Sequence, residues 1–422
     1  MFVCHVSKAN GLSTFGNHMP LIADPTSNST RLAVECISHE SGFRALEPCW
    51  NKLLQQSDSG TVFLTWEWLQ TWFKYLSAGQ SLHVLRVSSG EETLALAPLL
   101  LQPRTVDRIL GVQSVGFLGA GKAGADHLDF LIRRDSEPQT LAALRSYIQD
   151  RRLMLTLANI RQDCAASRWA AQMKDHNWRS FDAKTNICPF VRLTGHSWES
   201  YLDSLGSEHR YHVRRKLRSL SRNFDVQLVR VATEEQRRDA LALLIEFHNR
   251  RWKGLSCAFN TPSLVSFHDE FTRLALAKDW LRLYVLQLNG RPVAWLYGLR
   301  YNDVFYFYQS AFDMEGYGKH SVGLALMALT IKASIEEGVQ EFDLLRGEEQ
   351  YKFHWANAVR ETGQVYLCPQ STIGAVYQGA AQFKLNLGRL ARRVLTDTVA
   401  DAIAVRIRTR GTHTADSTAH VT

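Results

Sequence analysis

The segment FDLLRGEEQYKFHW, residues 342–355, carries the densest group of reactive side chains in this 422-residue chain. Its first residues, with Phe342, Leu344 and Leu345 apolar, are typical of a short buried strand, and Gly347 breaks that pattern. Acidic, basic and aromatic residues then follow within a single turn. The segment therefore predicts a strand that ends at a cleft, followed by a turn that places reactive side chains at the cleft.

Three residues of this segment are candidates for proton transfer. Asp343 and Glu348 have carboxylates that accept a proton from an amine, and Tyr351 has a hydroxyl that returns one to a leaving thiolate or hydroxyl. Arg346 and Lys352 are candidates for binding an anionic substrate group. The alternative is that Asp343, Arg346 and Lys352 form an ion-pair network that only holds the turn, and both interpretations stay open.

A glycine-rich turn, DMEGYGKHSVG at residues 313–323, precedes a predicted helix. The first turn of a helix has unpaired backbone N–H groups and a favourable dipole, which suit a phosphate or pyrophosphate. Lys319 and His320 add positive charge, so the expected anion site is formed by Lys319, His320, Ser321, Val322 and Gly323. The spacing matches neither a Walker loop nor the GxGxxG of a dinucleotide-binding fold.

Two basic segments are further candidates for binding substrate. The sequence EHRYHVRRKLRSLSRN, residues 208–223, places Arg210 and Arg214 four residues apart on one helix face, where they suit an anionic donor or acceptor. The sequence FHNRRW, residues 247–252, ends a predicted helix, and Arg250 and Trp252 suit the entrance of a site. A solvated helix face is the alternative in both cases.

The order of predicted elements repeats in the two halves of the chain. Each half has helices, a hairpin, a third strand, a glycine-rich loop, a helix and a further strand, which predicts two copies of one mixed α/β fold with central sheets flanked by helices. The predicted boundaries are a disordered leader over residues 1–30, a first domain over 31–190, a second over 191–365 and a basic, amphipathic helical tail over 366–422.

Composition narrows the function classes. The net charge of +8 favours anionic partners such as nucleotide phosphates, acidic lipid or nucleic acid. Seven scattered cysteines without a CxxC pair, together with the absence of a signal sequence and of a long apolar run, favour a cytoplasmic protein and argue against a zinc site or disulfides. The basic tail allows contact with the inner membrane surface. The segment ADHLDF, residues 125–130, offers oxygen ligands that could equally be helix caps.

In combination, these motifs resemble the GNAT-type acyltransferase domain of the CelD/BcsL group, which is associated with cellulose and exopolysaccharide biosynthesis. The basic helix, FHNRRW, the hairpin NGRPVAW (residues 289–295), the glycine-rich turn and FDLLRGEEQYKFHW carry the resemblance, and FLTWEWLQTWF (residues 63–73), LALAPLLL (residues 94–101) and ADHLDF extend it over about residues 60–365. The group commonly has Ser-Pro-Gly in the turn where this chain has Ser321-Val322-Gly323.

The resemblance implies two tandem GNAT-like domains, a fold shared with the Fem peptidoglycan aminoacyltransferases, and transfer of an acyl group to an amine. The expected donor is acyl-CoA or an acyl-carrier-protein thioester, with no metal, and the expected acceptor is the amine of a sugar, an amino acid or a polyamine. Two alternatives stay open. One is Fem-like transfer from aminoacyl-tRNA, the only expected nucleic-acid partner, and the other is an inactive scaffold in a polysaccharide-assembly complex.

Overall fold

One mixed sheet of eleven strands runs through both halves of the chain, and a second sheet of four strands lies in the first half. The computed structural model describes residues 32–102, 109–253, 256–380 and 382–383, with the backbone alone of residues 184 and 185. The predicted leader and residues 384–422 of the predicted basic tail therefore lie outside the described residues.

The first half is built on short helices and short strands. Its helices are α1 Glu40–Arg44, α2 Glu47–Gln56, α3 Trp66–Leu76, α4 Glu137–Asp150 and α5 Ala165–Met173. Its strands are β1 Ala33–Ile37, β2 Ser81–Leu82, β3 Val84–Ser89, β4 Glu92–Ala97, β5 Leu99–Leu101, β6 Ser114–Phe117, β7 Leu131–Ile132, β8 Met154–Arg161 and β9 Trp178–Arg192.

The second half has longer elements. Its helices are α6 Trp198–Ser204, α7 Ser207–Asn223, α8 Glu234–Trp252, α9 Pro262–Ala277, α10 Met314–Tyr317, α11 Val322–Glu336 and α12 Gln350–Phe353. Its strands are β10 Val226–Arg230, β11 Leu281–Leu288, β12 Arg291–Tyr301, β13 Val304–Phe312, β14 Glu341–Asp343 and β15 Ala358–Pro369.

Local sequence explains several element ends. The Thr65 hydroxyl accepts a hydrogen bond from the backbone N–H of Trp68 at 3.3 Å, so this residue caps α3 as the sequence predicts. Asn289 and Gly290 have φ angles of 51° and 75°, the left-handed values that a two-residue hairpin between β11 and β12 requires. The strand predicted over residues 93–101 is divided at Pro98, which has no N–H to donate.

The strand order confirms two GNAT-like domains. Outward from the centre of the large sheet, the strands of the second half follow the order β14-β13-β12-β11-β10. The strands of the first half follow the matching order β8-β6-β5-β2 on the other side of the centre. Strand β1 pairs with β3 in the smaller sheet. In each domain one pair is parallel, β6 with β8 and β13 with β14, and its two strands are joined through a helix, α4 or α11. The other described pairs of both sheets are antiparallel.

The two domains exchange their last strands. Strand β9, from the first half, pairs with β14 of the second, and β15, from the second half, pairs with β8 of the first. Strands β9 and β15 then pair with each other along the whole length of β15. The exchange makes one continuous sheet, so neither domain has a complete sheet without the other.

Apolar packing also joins the two halves. Helix α3 lies against α9, where the Trp68 ring meets Phe267 and Phe271 edge-on with ring centroids 5.0 and 4.7 Å apart. Trp68 is fully buried in a core cluster that includes residues of both halves. A second cluster lies between the other face of the C-terminal sheet and helices α7 and α11.

Three secondary-structure predictions need correction. The strand predicted over residues 178–181 continues to Arg192, and residues 366–369, predicted to begin the tail, lie in β15, ahead of a helical stretch over residues 372–380. The helix predicted over residues 198–222 is two helices, because Leu205 and Gly206 take extended backbone angles between α6 and α7. Within the described ranges, no helix has the length and apolar character needed to cross a membrane.

Candidate functional site

Strands β13 and β14 separate at the centre of the second domain. They pair only over Val304–Tyr306 and Glu341–Asp343, although β13 continues to Phe312. The register between β12 and β13 shifts at Tyr297/Gly298, so Tyr308 is an extra residue on β13. Beyond the bulge, the edge of β13 that faces β14 has no pairing strand in the register, and a V-shaped opening results.

The V opens into a cavity with a volume of about 1280 Å³, which we call the main cavity. The wall consists of the N-terminal part of α7, the end of α8, the outer part of β13, the start of α11 and α12. Most of the lining surface is apolar, with Trp252, Phe312 and Met327 among the larger side chains. An apolar pocket with a few polar groups is the usual form of a small-molecule site, and this one exceeds the roughly 300–1,000 Å³ that such sites commonly have.

The glycine-rich turn forms one wall of the cavity. Gly318, Ser321 and Gly323 line it, and Ser321 has a left-handed φ of 57° immediately before α11. A Cβ at Gly323 would lie 3.0 Å from the Phe312 ring, so the helix start and β13 approach closely here. The Leu324 N–H donates to the Ser321 carbonyl oxygen at 3.0 Å, whereas within the described residues no backbone acceptor is found for the N–H groups of Val322 and Gly323. The turn therefore has the backbone geometry of an anion site beside the V.

Tyr351 on α12 lines the same cavity, beside Glu349. Burial, together with the nearby Glu349 carboxylate, raises the pKa of the Tyr351 hydroxyl, while Arg251 opposes that rise. Burial lowers the pKa of the Arg251 guanidinium, which lies 4.7 Å from the centre of the Phe312 ring. Tyr351 is therefore protonated at neutral pH.

Four histidines line the cavity: His209, His212, His248 and His354. Burial and the neighbouring His354 and His212 lower the pKa of His209 to about 4, and burial and Arg251 lower that of His248 to about 4. His248 is 2% exposed, and its Nε2 lies 2.8 Å from the Ser256 hydroxyl oxygen. Both rings are neutral at pH 7, so each has a nitrogen lone pair able to accept a proton.

Asp343 does not line this cavity. Its side chain is fully buried at the end of β14, where Oδ2 lies 2.8 Å from His127 Nε2 and 3.6 Å from Arg360 Nη1, and Oδ1 accepts the Leu345 N–H at 2.7 Å. Burial alone would raise the pKa of Asp343, but His127 and Arg360 keep it below its usual value. The partners of Asp343 are therefore His127 and Arg360 rather than the Arg346 and Lys352 of the ion-pair alternative, and through His127 the carboxylate joins β14 to the first domain.

The other residues of the 342–355 segment separate into different surroundings. Lys352 is buried, and its ammonium donates to the Arg346 carbonyl oxygen at 2.7 Å and pairs with Glu349 at 3.1 Å. Glu348 is exposed and does not line the cavity, whereas Arg346 lines a second cavity, described below. Of the three predicted proton-transfer residues, the structure places only Tyr351 at the main cavity.

The remaining predicted binding residues lie in and around the cavity as follows. Trp252, 42% exposed, lines it. The three predicted arginines lie outside the cavity wall. Arg210 donates to the Asp203 carbonyl oxygen at 2.7 Å, and Arg214 donates to the Asp203 carboxylate at 2.8 Å. Arg250 pairs with the Glu246 carboxylate at 2.5 Å. In the turn, Lys319 is exposed, Val322 is buried in the core, and the His320 ring contacts Phe224, so the backbone of the turn reaches the cavity rather than these side chains.

Several cavity residues carry no signal in the sequence. His248 lies within FHNRRW, but its burial follows from the packing of α8 on the sheet, which the sequence does not show. Gln309 and Phe312 have the sequence pattern of ordinary strand residues, and only the bulge in β13 places them at the cavity. His209 precedes the predicted Arg210 by one position and points to the cavity instead. In the ranges that the structure describes, no group of three or more His, Cys, Asp or Glu side chains is arranged to hold a metal.

A parallel strand pair that separates after a bulge, with a glycine-rich helix start beside it, is the architecture of a GNAT-like domain. Residues 207–353 match the family described as "Acetyltransferase (GNAT) domain". No curated protein sequence matches the chain.

Solved structures share the fold over most of the chain. FemX is similar with a TM-score of 0.55 at 10% sequence identity, over 79% of this chain and 97% of the FemX chain. A conserved protein of unknown function from Bacteroides thetaiotaomicron VPI-5482 is similar with a TM-score of 0.50 at 13% identity, over 79% of this chain and 100% of that one. At such identities the likeness concerns the fold alone.

Proposed function

We propose that the protein is an N-acyltransferase that transfers an acyl group from a thioester to an amine. The observation that carries the proposal is the convergence of three parts on one cavity: the open edge of β13, the start of α11 and the Tyr351 hydroxyl. Together they offer a place for the acyl carbonyl, a place for the donor phosphates and a proton for the leaving thiolate.

The donor we propose is acyl-CoA or the phosphopantetheine thioester of a carrier protein. The first turn of α11 would bind its phosphates through backbone N–H groups, with Lys319 adding charge from the surface. Backbone N–H groups of β13 beyond the bulge would polarise the thioester carbonyl, among them that of Ser310 once the donor displaces the Gln309 side-chain oxygen that it now binds at 3.0 Å. A cavity of about 1280 Å³ has room for an acyl chain beside the donor arm.

Direct attack by the amine needs no covalent enzyme intermediate, but it needs two proton transfers. The nitrogen must lose a proton, and we propose that His248, which lines the cavity with its Nε2 2.8 Å from the Ser256 hydroxyl oxygen, accepts it directly or through water. The departing thiolate must gain a proton, and Tyr351 is the proposed donor. Asp343 and Glu348 take no part in this scheme, because neither lines the cavity.

The pathway and the location in the cell also belong to this proposal. The resemblance of the motifs to the CelD/BcsL group supports a role in polysaccharide or cell-envelope biosynthesis, in the cytoplasm or at the inner membrane surface, with the basic tail as a contact. Transfer from aminoacyl-tRNA is the second candidate, since Arg215, Arg218 and Arg222 on α7 are exposed and α7 also lines the cavity.

Acyl transfer with purified protein tests the proposal. Thiol release would be measured with acetyl-, decanoyl- and palmitoyl-CoA against a panel of amino acids, amino sugars and polyamines. The expected result is transfer by the wild type and a loss of roughly 10²-fold or more in kcat for Tyr351→Phe and for His248→Asn. Tyr211→Phe, an exposed tyrosine outside the cavity wall, is the matched control.

Two outcomes would contradict parts of the proposal. If no thioester is consumed with any amine, while salt-sensitive binding of aminoacyl-tRNA occurs and is lost on replacing Arg215, Arg218 and Arg222, the second candidate replaces the first. If Tyr351→Phe and His248→Asn both retain full activity, the proton-transfer assignment is wrong even though the reaction class stands.

A further inference from the structure

A second cavity, of about 620 Å³, lies where the two domains meet. One wall is the loop of the first domain from Gly121 to Asp126. The other walls are the residues after β14, the bulge of β13 and the start of α9. This cavity and the main one share Gln309 on β13, and they also have adjacent lining residues in Ser256 and Cys257. The two cavities therefore adjoin at the V between β13 and β14.

Asp126 is an unusual residue for a cavity wall. It is 0% exposed, and its Oδ2 accepts the Arg346 backbone N–H at 3.0 Å. Its Oδ1 lies 3.5 Å from Arg346 Nε and has no hydrogen-bond partner in the part of the chain that the structure describes. A buried carboxylate oxygen without a hydrogen bond is costly unless another donor binds it. A ligand ammonium is a donor of the right charge.

Positive charge lies on the same cavity. The Lys122 side chain is exposed and has no ion pair within the described ranges, and the Arg346 guanidinium donates through Nη1 to Asn159 Oδ1 at 3.2 Å. The Arg346 Nη2 approaches Gly124 so closely that a Cβ there would lie 3.3 Å away. The cavity thus presents a carboxylate and two cations, which together complement a zwitterion.

Apolar groups complete the lining. Leu76, Leu264 and Leu345 contribute side chains from α3, α9 and the end of β14, and Ala258 lies between α8 and α9. The Tyr308 hydroxyl donates to the Ala123 carbonyl oxygen at 2.5 Å and so holds the loop of the first domain against the bulge. An apolar side chain of moderate size would therefore bury its surface here.

We propose that this interdomain cavity is the acceptor site and that the acceptor is an α-amino acid with an apolar side chain. Asp126 would bind its ammonium group, and Lys122 with Arg346 would bind its carboxylate. The amine would then reach the V from the interdomain side, while the thioester occupies the main cavity. The inference rests on the proposed acyl transfer, and it assigns acceptor selection to a loop of the first domain.

Kinetics with matched acceptors test this assignment. The acceptors are L-leucine and 3-methylbutylamine, which is leucine without its carboxylate. The donor is an acyl-CoA that supports transfer by the wild type. Asp126→Asn should raise KM for both acceptors roughly tenfold or more, since a charged hydrogen bond is lost. Lys122→Gln should raise KM for L-leucine about threefold and leave 3-methylbutylamine unchanged, because Lys122 is exposed and faces only the carboxylate.

Controls separate binding of the acceptor from folding and from donor binding. Asp182→Asn and Lys174→Gln remove the same charges at exposed positions outside the cavity wall and should leave both KM values unchanged. Calorimetric binding of the acyl-CoA should be the same in all variants. Because Lys122 is exposed, its variant folds normally and keeps the test valid even if Asp126→Asn is unstable.

The outcomes distinguish this inference from the proposed function. If the wild type transfers acyl groups but the KM values of both variants match their controls, the acceptor assignment is wrong and the acyltransfer stands. If no transfer occurs, L-leucine binding by calorimetry decides: binding that Asp126→Asn weakens supports the site without the reaction. Absent binding, or binding that neither variant changes, overturns the inference.

Discussion

Single residues with unusual backbone angles shape the end of β14. Gly347 has a φ of 135°, and a Cβ there would lie 2.0 Å from Glu349 Oε2 and 2.7 Å from Lys352 Nζ. Leu345 has a left-handed φ of 57° although it is bulky and buried, which is a strained conformation that costs roughly 1–3 kcal/mol. The turn persists because Asp343 and Lys352 hydrogen-bond to its backbone.

Gly347→Ala tests this account of the turn. We expect a loss of more than about 1 kcal/mol in the free energy of unfolding. Alanine rarely adopts the φ that this position requires, and its methyl group would also crowd the Lys352 ammonium. Gly338→Ala is the control: its φ of 75° is also positive, but nothing lies within 4 Å of the added carbon. Urea unfolding measures both, and equal losses would show that crowding by Lys352 contributes nothing.

The buried His268 is expected to make the free energy of unfolding depend on pH. It is fully buried, and burial lowers its pKa from 6.5 to about 3. The unfolded chain therefore binds a proton as the pH falls below 6.5, whereas the folded chain does not until about pH 3. Above pH 6.5 the neutral ring therefore costs no stability. Between pH 6.5 and 3 the free energy of unfolding falls by about 1.4 kcal/mol for each pH unit.

His268→Phe should remove this contribution, because the ring already packs among Phe259, Phe267, Tyr297 and Tyr308. The difference in unfolding free energy between wild type and variant should change by about 1.4 kcal/mol for each pH unit between pH 6 and 4. His176→Phe, at an exposed position, is the comparison. A difference that stays constant with pH would contradict the assignment of a neutral His268.

At the scale of elements, the start of α11 decides how closely a donor can approach. Gly318 and Gly323 both line the main cavity, but only Gly323 lies against the Phe312 ring. A Cβ at Gly318 would meet nothing nearer than the Met314 side chain at 3.7 Å. The two glycines therefore form a matched pair for testing the proposed donor site.

Gly323→Val should weaken acyl-CoA binding roughly tenfold or more, because the added methyl groups would fill the gap between the helix start and β13. Gly318→Ala should leave the affinity within about twofold, since the position is open. Isothermal calorimetry gives both dissociation constants. Unchanged binding by Gly323→Val would place the donor elsewhere than at the start of α11.

Sequence reasoning succeeded for elements whose signals are local. Thr65 as a cap and Asn289-Gly290 as a turn act within a few residues, and the structure confirms both. Strand β15 was missed and the length of β9 underestimated, because their pairing partners lie in the other domain and their polar residues show weak alternation. Long-range pairing leaves little trace in a single sequence.

The site shows the same division. The turn at residues 318–323 and Tyr351 were recognisable from residue type and order, and both line the cavity. Asp343 was an attractive candidate because a carboxylate at a strand end often faces a cleft, but its partners His127 and Arg360 come from distant parts of the chain. Asp126 lies in ADHLDF, whose carboxylates are candidates for oxygen ligands or caps in the sequence, and its place at the interdomain cavity follows only from the packing of the first domain against the second.

At the scale of the whole molecule, the strand exchange predicts that the two domains unfold together. Fragments of residues 1–194 and 195–422 would each expose an unpaired edge of β8 or β14 and a strand without its partner, which favours aggregation. We expect each fragment to be insoluble when expressed alone and the pair to be soluble when co-expressed.

Co-purification and denaturant unfolding of the fragment pair provide the measurement. A single transition shared by tryptophan fluorescence and circular dichroism is expected for the intact chain and the reassembled pair, because the joined β9 and β15 lie inside the eleven-stranded sheet, between the strands of the two domains. A fragment that is soluble alone, and that unfolds cooperatively as a monomer, would contradict this view.

The exchange of β9 and β15 also sets the order of events during synthesis. The first domain receives β15, residues 358–369, as the neighbour of β8, so most of the chain must leave the ribosome before its sheet can be completed. The nascent N-terminal half therefore waits with an unsatisfied strand edge, in contrast to domains that fold one after another as they emerge. Synonymous codons that slow translation shortly before residue 358 prolong this wait and should lower the yield of soluble protein more than slow codons early in the gene.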